Sequence, residues 1–132
     1  MKKFALLIYN DPALLDALPA AEFDATMRTC LDHADQLRRE GRLLDSQMLD
    51  DAKSAKSVRV REGRRTIMDG PFTETKELLA GFNLIEAEDL DEAIRIATDF
   101  PWVATGHVEV REVKDISAVR ERVSSPISSE IE

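Results

Sequence analysis

Two histidines, His33 and His107, stand near carboxylates in this chain of 132 residues. An imidazole gains and loses a proton near neutral pH, so each is a candidate general acid or base. His33 lies between Cys30 and Leu37 at helical spacing, on the border of an apolar stripe, where its ring can turn into a crevice. Read plainly, it is a surface imidazole beside Asp32 and Asp35. Asp99 falls where a second helix must end, just before Phe100-Pro101. A carboxylate at a helix C-terminus opposes the helix dipole, so it needs some other reason to be there. Orienting His33, or sharing acid–base work with it, supplies one.

A second group sits on the last strand. His107, Glu109 and Arg111 share one parity there, and Arg111 is suited to grip a small carboxylated ligand through two parallel hydrogen bonds. The simpler alternative is a salt bridge across a dimer interface. A third group flanks a bend, Met68-Asp-Gly-Pro-Phe-Thr-Glu-Thr-Lys-Glu77. Gly70 allows close backbone approach or positive φ, Pro71 fixes its own φ, Phe72 can anchor the bend in the core, and Asp69 can cap the turn. Asp69, Lys76 and Glu77 would then stand at a cavity mouth, and Tyr9 at the end of the first strand completes the candidate ligand set. No His-x-His or His-Glu-x-x-His spacing, phosphate-binding glycine loop or nucleophile elbow occurs, so neither a metal nor a cofactor is expected.

The elements that must position these groups follow from periodicity. Residues 3–9 are apolar on both parities, which predicts a strand covered on both faces and stopped by Asn10-Asp11-Pro12. Phe23, Met27, Cys30, Ala34 and Leu37 trace one helical stripe between Pro19 and Gly41. A weak strand is expected over 43–49. A hairpin follows, in which 57–61 and 65–68 flank Glu62-Gly63. After the bend, 81–87 read as a strand. Asp89 and Glu92 then open a second helix whose stripe is Leu90, Ala93, Ile94 and Ala97. Residues 107–113 alternate as a half-buried strand, and one short helix is expected near 116–123 before a loose Ser124–Ser129 stretch.

The order is β-α-β, a hairpin, then β-α-β, in a single domain over 1–113 with a C-terminal tail over 114–132. The expected fold class is α+β, a ferredoxin-like two-layer sandwich with an inserted β-hairpin. If Val108 and Val110 lie under the helices, the far sheet face is mixed and bare in a monomer. That predicts a homodimer packed sheet to sheet, with a cavity near the seam.

Composition sets outer limits. The formal charge is −8, which repels a phosphate backbone, and the short Arg59, Arg61, Arg64, Arg65 run reads as the solvated face of the hairpin. No direct nucleic-acid contact is expected. Cys30 is the only cysteine, so no intrachain disulfide can form. No apolar run approaches the roughly 20 residues of a membrane span, and the expectation is a soluble, cytoplasmic chain without membrane contact.

The bend, together with Leu6-Leu-Ile-Tyr9, Gly81-Phe-Asn-Leu-Ile-Glu86 and Val108-Glu-Val-Arg111, resembles the DGPF branch of the YCII-related family over about residues 1–113. The resemblance implies a ferredoxin-like fold of the dimeric α+β barrel type, and an activity that is generally unassigned. It also implies a possible association with extracytoplasmic-function sigma factors, and kinship to proteins acting on chlorinated lactones. It marks His33, eight residues before Gly41, and Asp99 as the suspected active pair, although Phe100 separates Asp99 from the Pro that usually follows directly. Two functions stay open. One is a cofactor-independent lyase or isomerase using His33 and Asp99. The other is a ligand-binding or protein-interaction module, for instance beside a sigma factor.

Overall fold

The computed structural model describes residues 1–72 and 75–124. Strand β1 (Lys2–Asn10) is followed by a short helix α1 (Pro12–Asp16) and the long helix α2 (Ala20–Arg39). Next come β2 (Leu43–Met48), a 3-10 turn at Ala52–Ser54, and the hairpin β3 (Lys56–Arg61) and β4 (Arg64–Asp69). Strand β5 (Leu78–Ala87), helix α3 (Leu90–Thr98), a 3-10 turn at Pro101–Val103, β6 (Gly106–Glu112) and α4 (Ser117–Val123) complete it. The main sheet has the order β2-β5-β1-β6 with antiparallel neighbours throughout, while β3 and β4 form a separate two-stranded ribbon. With the ribbon set aside, this is the ferredoxin-like βαββαβ arrangement. No helix among the described residues is long and apolar enough to cross a membrane.

Register decides which residues meet the helices. Leu6 stands opposite Val110, and Ile8 opposite Val108, so both valines of β6 face the helical layer as the alternation predicts. Phe4, Leu6, Ile85 and Phe100 are the largest fully buried side chains. Each such side chain contributes about 1.5–3 kcal/mol by leaving water. The opposite sheet face carries Ala5, Leu7 and Tyr9 from β1 and Phe82 and Leu84 from β5, all half-buried.

Two expectations are corrected by packing. The core stripe of α3 is Ala93, Ile96 and Ala97, whereas Ile94 and Leu90 are exposed. Phe100 and Trp102, after the helix, join the same core. Phe72 does not enter the core: it is half-buried, with the Arg59 guanidinium 4.1 Å from its ring centroid, a cation–π contact with the ribbon. β1 ends at Asn10, as expected, and Asp11-Pro12 also opens the next element. Asp11 accepts a hydrogen bond from the Ala13 amide at 3.0 Å and starts α1, with Pro12 in its first turn. The expected loose stretch lies, from residue 125 on, outside the described residues.

Candidate functional site

Helix α2 touches the sheet unevenly. Its C-terminal half sends Ala34 and Leu37 into the core shared with Leu43 and Ile85. Its N-terminal half meets a stretch of sheet where the residues on the helix side are Gly81, Asn83 and Ser46. Small and polar residues there leave a cavity of 380 Å³. Met27, Cys30, Phe23 and Trp102 form its apolar walls, and Asn83, Asn10, Ser46 and Gln47 supply its polar groups. Among the described residues no acidic, basic or histidine side chain lines it.

Asn83 is the residue that singles out this inner cavity. It is only 2% exposed, and it lines the cavity. Asn10, 5% exposed, accepts a hydrogen bond from the Thr105 hydroxyl at 2.7 Å, which leaves its NH₂ group for the cavity. Burial pushes the Cys30 thiol above its ordinary range, partly offset by a hydrogen bond from Trp102. Cys30 is therefore a protonated, weakly polar wall group at neutral pH.

A second cavity, of 540 Å³, opens at the same end of β1, beneath the bend. Gly70 adopts φ +78°, with no neighbour closer than 4.0 Å to a built Cβ, so conformation rather than crowding demands glycine there. The Gly70 amide donates to the Ala55 carbonyl at 2.7 Å and its carbonyl accepts from the Ser57 hydroxyl at 2.7 Å. Pro71 is thus fixed in the cavity wall, with Tyr9, Leu49, Leu79 and Glu77 around it. The Glu77 carboxylate accepts a hydrogen bond from His107 Nδ1, and the His107 ring stacks on Tyr9 with centroids 4.7 Å apart and planes 3° from parallel. Gly106 permits this: a Cβ there would sit 1.9 Å from the Tyr9 carbonyl oxygen.

The structure thus brings together Tyr9, Glu77 and His107. It keeps the other candidates apart from them. Lys76 Nζ lies 3.7 Å from the Asp11 carboxylate, and Asp69 pairs with Lys56 at the root of the ribbon. Arg111 pairs with Glu109 on its own strand, about 13 Å from His107 at roughly 3.3 Å per residue. His33 Nε2 donates to the Ile96 carbonyl at 3.0 Å, and its ring packs edge-on to Phe100 with centroids 4.4 Å apart. That ties α2 to α3, and His33 lines neither cavity. Asp99 is the exposed C-terminal cap residue of α3, and its backbone amide, not its carboxylate, closes the helix. Among the described residues no group of three or more His, Cys, Asp or Glu is arranged to hold a metal ion.

Asn83 and Trp102 were not singled out by motif reasoning. Asn83 did leave a signal, because it shares the core parity of β5 with Gly81, Ile85 and Ala87. An amide at a core position either finds a partner or faces a cavity.

These features define an α+β protein with a helix-covered sheet and cavities at its margins. The chain belongs to the YCII-related family, whose domain model matches residues 2–117. An uncharacterised protein of Rhizobium meliloti (strain 1021) is 36% identical over 110 residues, covering 82% of this chain and 89% of the relative. Among solved structures, 5-chloro-2-hydroxyhydroquinone dehydrochlorinase from Burkholderia phenoliruptrix AC1100 is similar at a TM-score of 0.49 and 16% identity, over 85% of this chain and 93% of that one.

Proposed function

We propose that the protein binds a small neutral molecule, apolar in body and carrying one hydrogen-bonding group, in the inner cavity between α2 and the sheet. The observation that carries this reading is Asn83, nine-tenths buried and lining a cavity without charged side chains among the described residues. Ligand sites of this kind are mostly apolar, with a few convergent polar groups. The lone cysteine and the lone tryptophan both line the cavity, so each reports on it without labelling. Alkylation of Cys30 by N-ethylmaleimide is expected to slow when p-cresol, 2-naphthol or cyclohexanone is added. Anionic benzoate is expected to give no protection, and Asn83→Leu should abolish it. Unchanged alkylation with all the neutral probes would remove the reading.

The alternative is a cofactor-independent lyase or isomerase with His33 as base and Asp99 as its partner. Kinship supports it, as does the position of both residues at the junction of α2 and α3. Against it, the Nε2 proton of His33 is committed to a backbone carbonyl and the ring lines neither cavity. We therefore favour binding. Metabolite screening of wild type against His33→Ala decides between them, since equal turnover excludes His33 as the base.

We extend the reading to a homodimer joined through the open sheet face. Ala5, Leu7, Phe82 and Leu84 form an apolar surface there, and the ribbon exposes Val58, Val60 and Ile67. An isolated two-stranded ribbon is marginally stable in water, so both surfaces gain from being covered. Light scattering is expected to give twice the chain mass for wild type and the single mass for Leu84→Glu; a monomeric wild type at micromolar concentration contradicts it. Association with an extracytoplasmic-function sigma factor has the resemblance alone in its support, and co-purification is its test.

A further inference from the structure

The β3–β4 ribbon stands almost uncovered on its own chain. Its strands pair with each other and, among the described residues, with no strand of the main sheet. Every residue in them except Ser57 is exposed. Resting on the homodimer reading above, we propose that the ribbon of one copy lies on the open sheet face of a second copy, and the second copy's ribbon on the first.

The two sides of the ribbon differ. The Ser57 hydroxyl donates to the Gly70 carbonyl and the Arg59 guanidinium lies over the Phe72 ring, so the side carrying Ser57 and Arg59 is turned to its own bend. Alternation puts Val58 and Val60 on the other side, where Ile67 stands opposite Val58 and Arg65 opposite Val60. Val58, Val60 and Ile67 are each more than half exposed. A cross-strand pair such as Val58 and Ile67 contributes only about 0.2–1 kcal/mol, and a lone hairpin is marginal in water. The bare side is stabilised by a cover that the single chain does not give it.

Pattern and charge select the cover. On the open sheet face Leu7 stands opposite Phe82 and Ala5 opposite Leu84, which makes an apolar stripe. Glu109 flanks Leu7 on β6, and Asp45 flanks Leu84 on β2, so the stripe has a carboxylate on either side. The ribbon's apolar patch has Arg65 beside it. Residues 56–69 carry five basic side chains against two acidic ones, in a chain whose formal charge is −8. The ribbon is thus drawn to an acidic surface, and a second copy presents one with a matching apolar centre. Six residues of strand reach about 20 Å, the width of a four-stranded sheet at about 4.8 Å per strand. Exchange about a twofold axis covers both surfaces of both copies at once.

Cross-linking tests the contact. Cys30→Ser removes the only native thiol. In that background Val60→Cys and Ala5→Cys are made as separate proteins, mixed, allowed to exchange subunits and oxidised with copper phenanthroline. A disulfide-linked dimer joining the two variants is expected, and Val60→Cys alone should not link to itself. Val58→Glu with Ile67→Glu should weaken the dimer by roughly tenfold or more, because charge enters an apolar contact, while circular dichroism shows the main sheet and helices folded. Arg65→Glu should weaken it less, with a smaller salt dependence than wild type. A wild-type dimer that Leu84→Glu breaks but the Val58→Glu, Ile67→Glu protein keeps at full affinity overturns the ribbon contact and leaves the sheet-to-sheet homodimer standing. No mixed link, or self-linked Val60→Cys in its place, overturns the ribbon contact in the same way. A monomeric wild type removes both.

Discussion

The two cavities lie at opposite ends of the same physical argument. The inner one is enclosed by helix and sheet, lined among the described residues by uncharged groups, and marked by the buried Asn83. The outer one is set by a short bend and a strand end, and Tyr9 and Glu77 line it, with His107 against both. Burial suits the first to an uncharged molecule. Partial exposure lets the second keep ionised groups at small desolvation cost.

The comparison is broken most severely at Gly106. A methyl group there meets the Tyr9 carbonyl at 1.9 Å and the Asn10 Cα at 2.8 Å, so Gly106→Ala must part β1 from β6. Urea unfolding should show a loss of about 3 kcal/mol, with the Tyr9–His107 stack lost as well. Asn83→Leu comes next and separates the cavities. It exchanges a buried amide at a cavity wall for an apolar side chain of similar size, so stability should change by no more than about 1 kcal/mol. Neutral-probe affinity at the inner cavity should fall about tenfold, the loss of one good hydrogen bond. The Tyr9–His107 stack should be untouched.

Gly70→Ala acts on the outer cavity alone. It forces a side chain into φ +78° and should cost about 1 kcal/mol by thermal unfolding, while Cys30 alkylation keeps its wild-type rate. The inner cavity has its own pH signature. Because burial raises the Cys30 thiol, the folded state disfavours the thiolate. Its contribution to stability is complete below the ordinary thiol range and is lost as pH rises beyond it. Alkylation of native protein should therefore accelerate only at a higher pH than alkylation of the urea-unfolded chain.

The smallest expected effect lies outside both cavities. Glu92 is held below the usual carboxylate range by a hydrogen bond from the Glu88 amide and then by Arg42. A depressed carboxylate stabilises above its unfolded pKa and loses that contribution as pH falls. The stability difference between wild type and Glu92→Gln should therefore shrink in acid, with both cavities unaffected.

The fold was legible where periodicity is strong. Alternation in β6 placed Val108 and Val110 under the helices, and the stripe from Phe23 to Leu37 found α2 to within a residue at each end. The same stripe gave no sign that its first half would border a cavity, because a helix pattern records which face is apolar and not what lies beneath it. That depended on Gly81, Asn83 and Ser46, brought together from two strands by register alone. Tyr9, Glu77 and His107 were each named from sequence, but their meeting depends on the β1–β6 pairing and the path of the bend. The expectation for Phe72 failed because an aromatic after Gly-Pro finds a cation as readily as a core, and the ribbon offered Arg59.

The central claim is that a small neutral molecule binds in the inner cavity and not in the outer one. Titration of isotope-labelled protein with p-cresol, followed by amide and indole chemical shifts, tests it most directly. The account predicts shifts confined to the Asn83 side-chain amide, the Trp102 indole and the backbone around Met27 and Cys30, with His107 unmoved. Shifts centred on Tyr9, Glu77 and His107, with Asn83 and Trp102 unchanged, would contradict it.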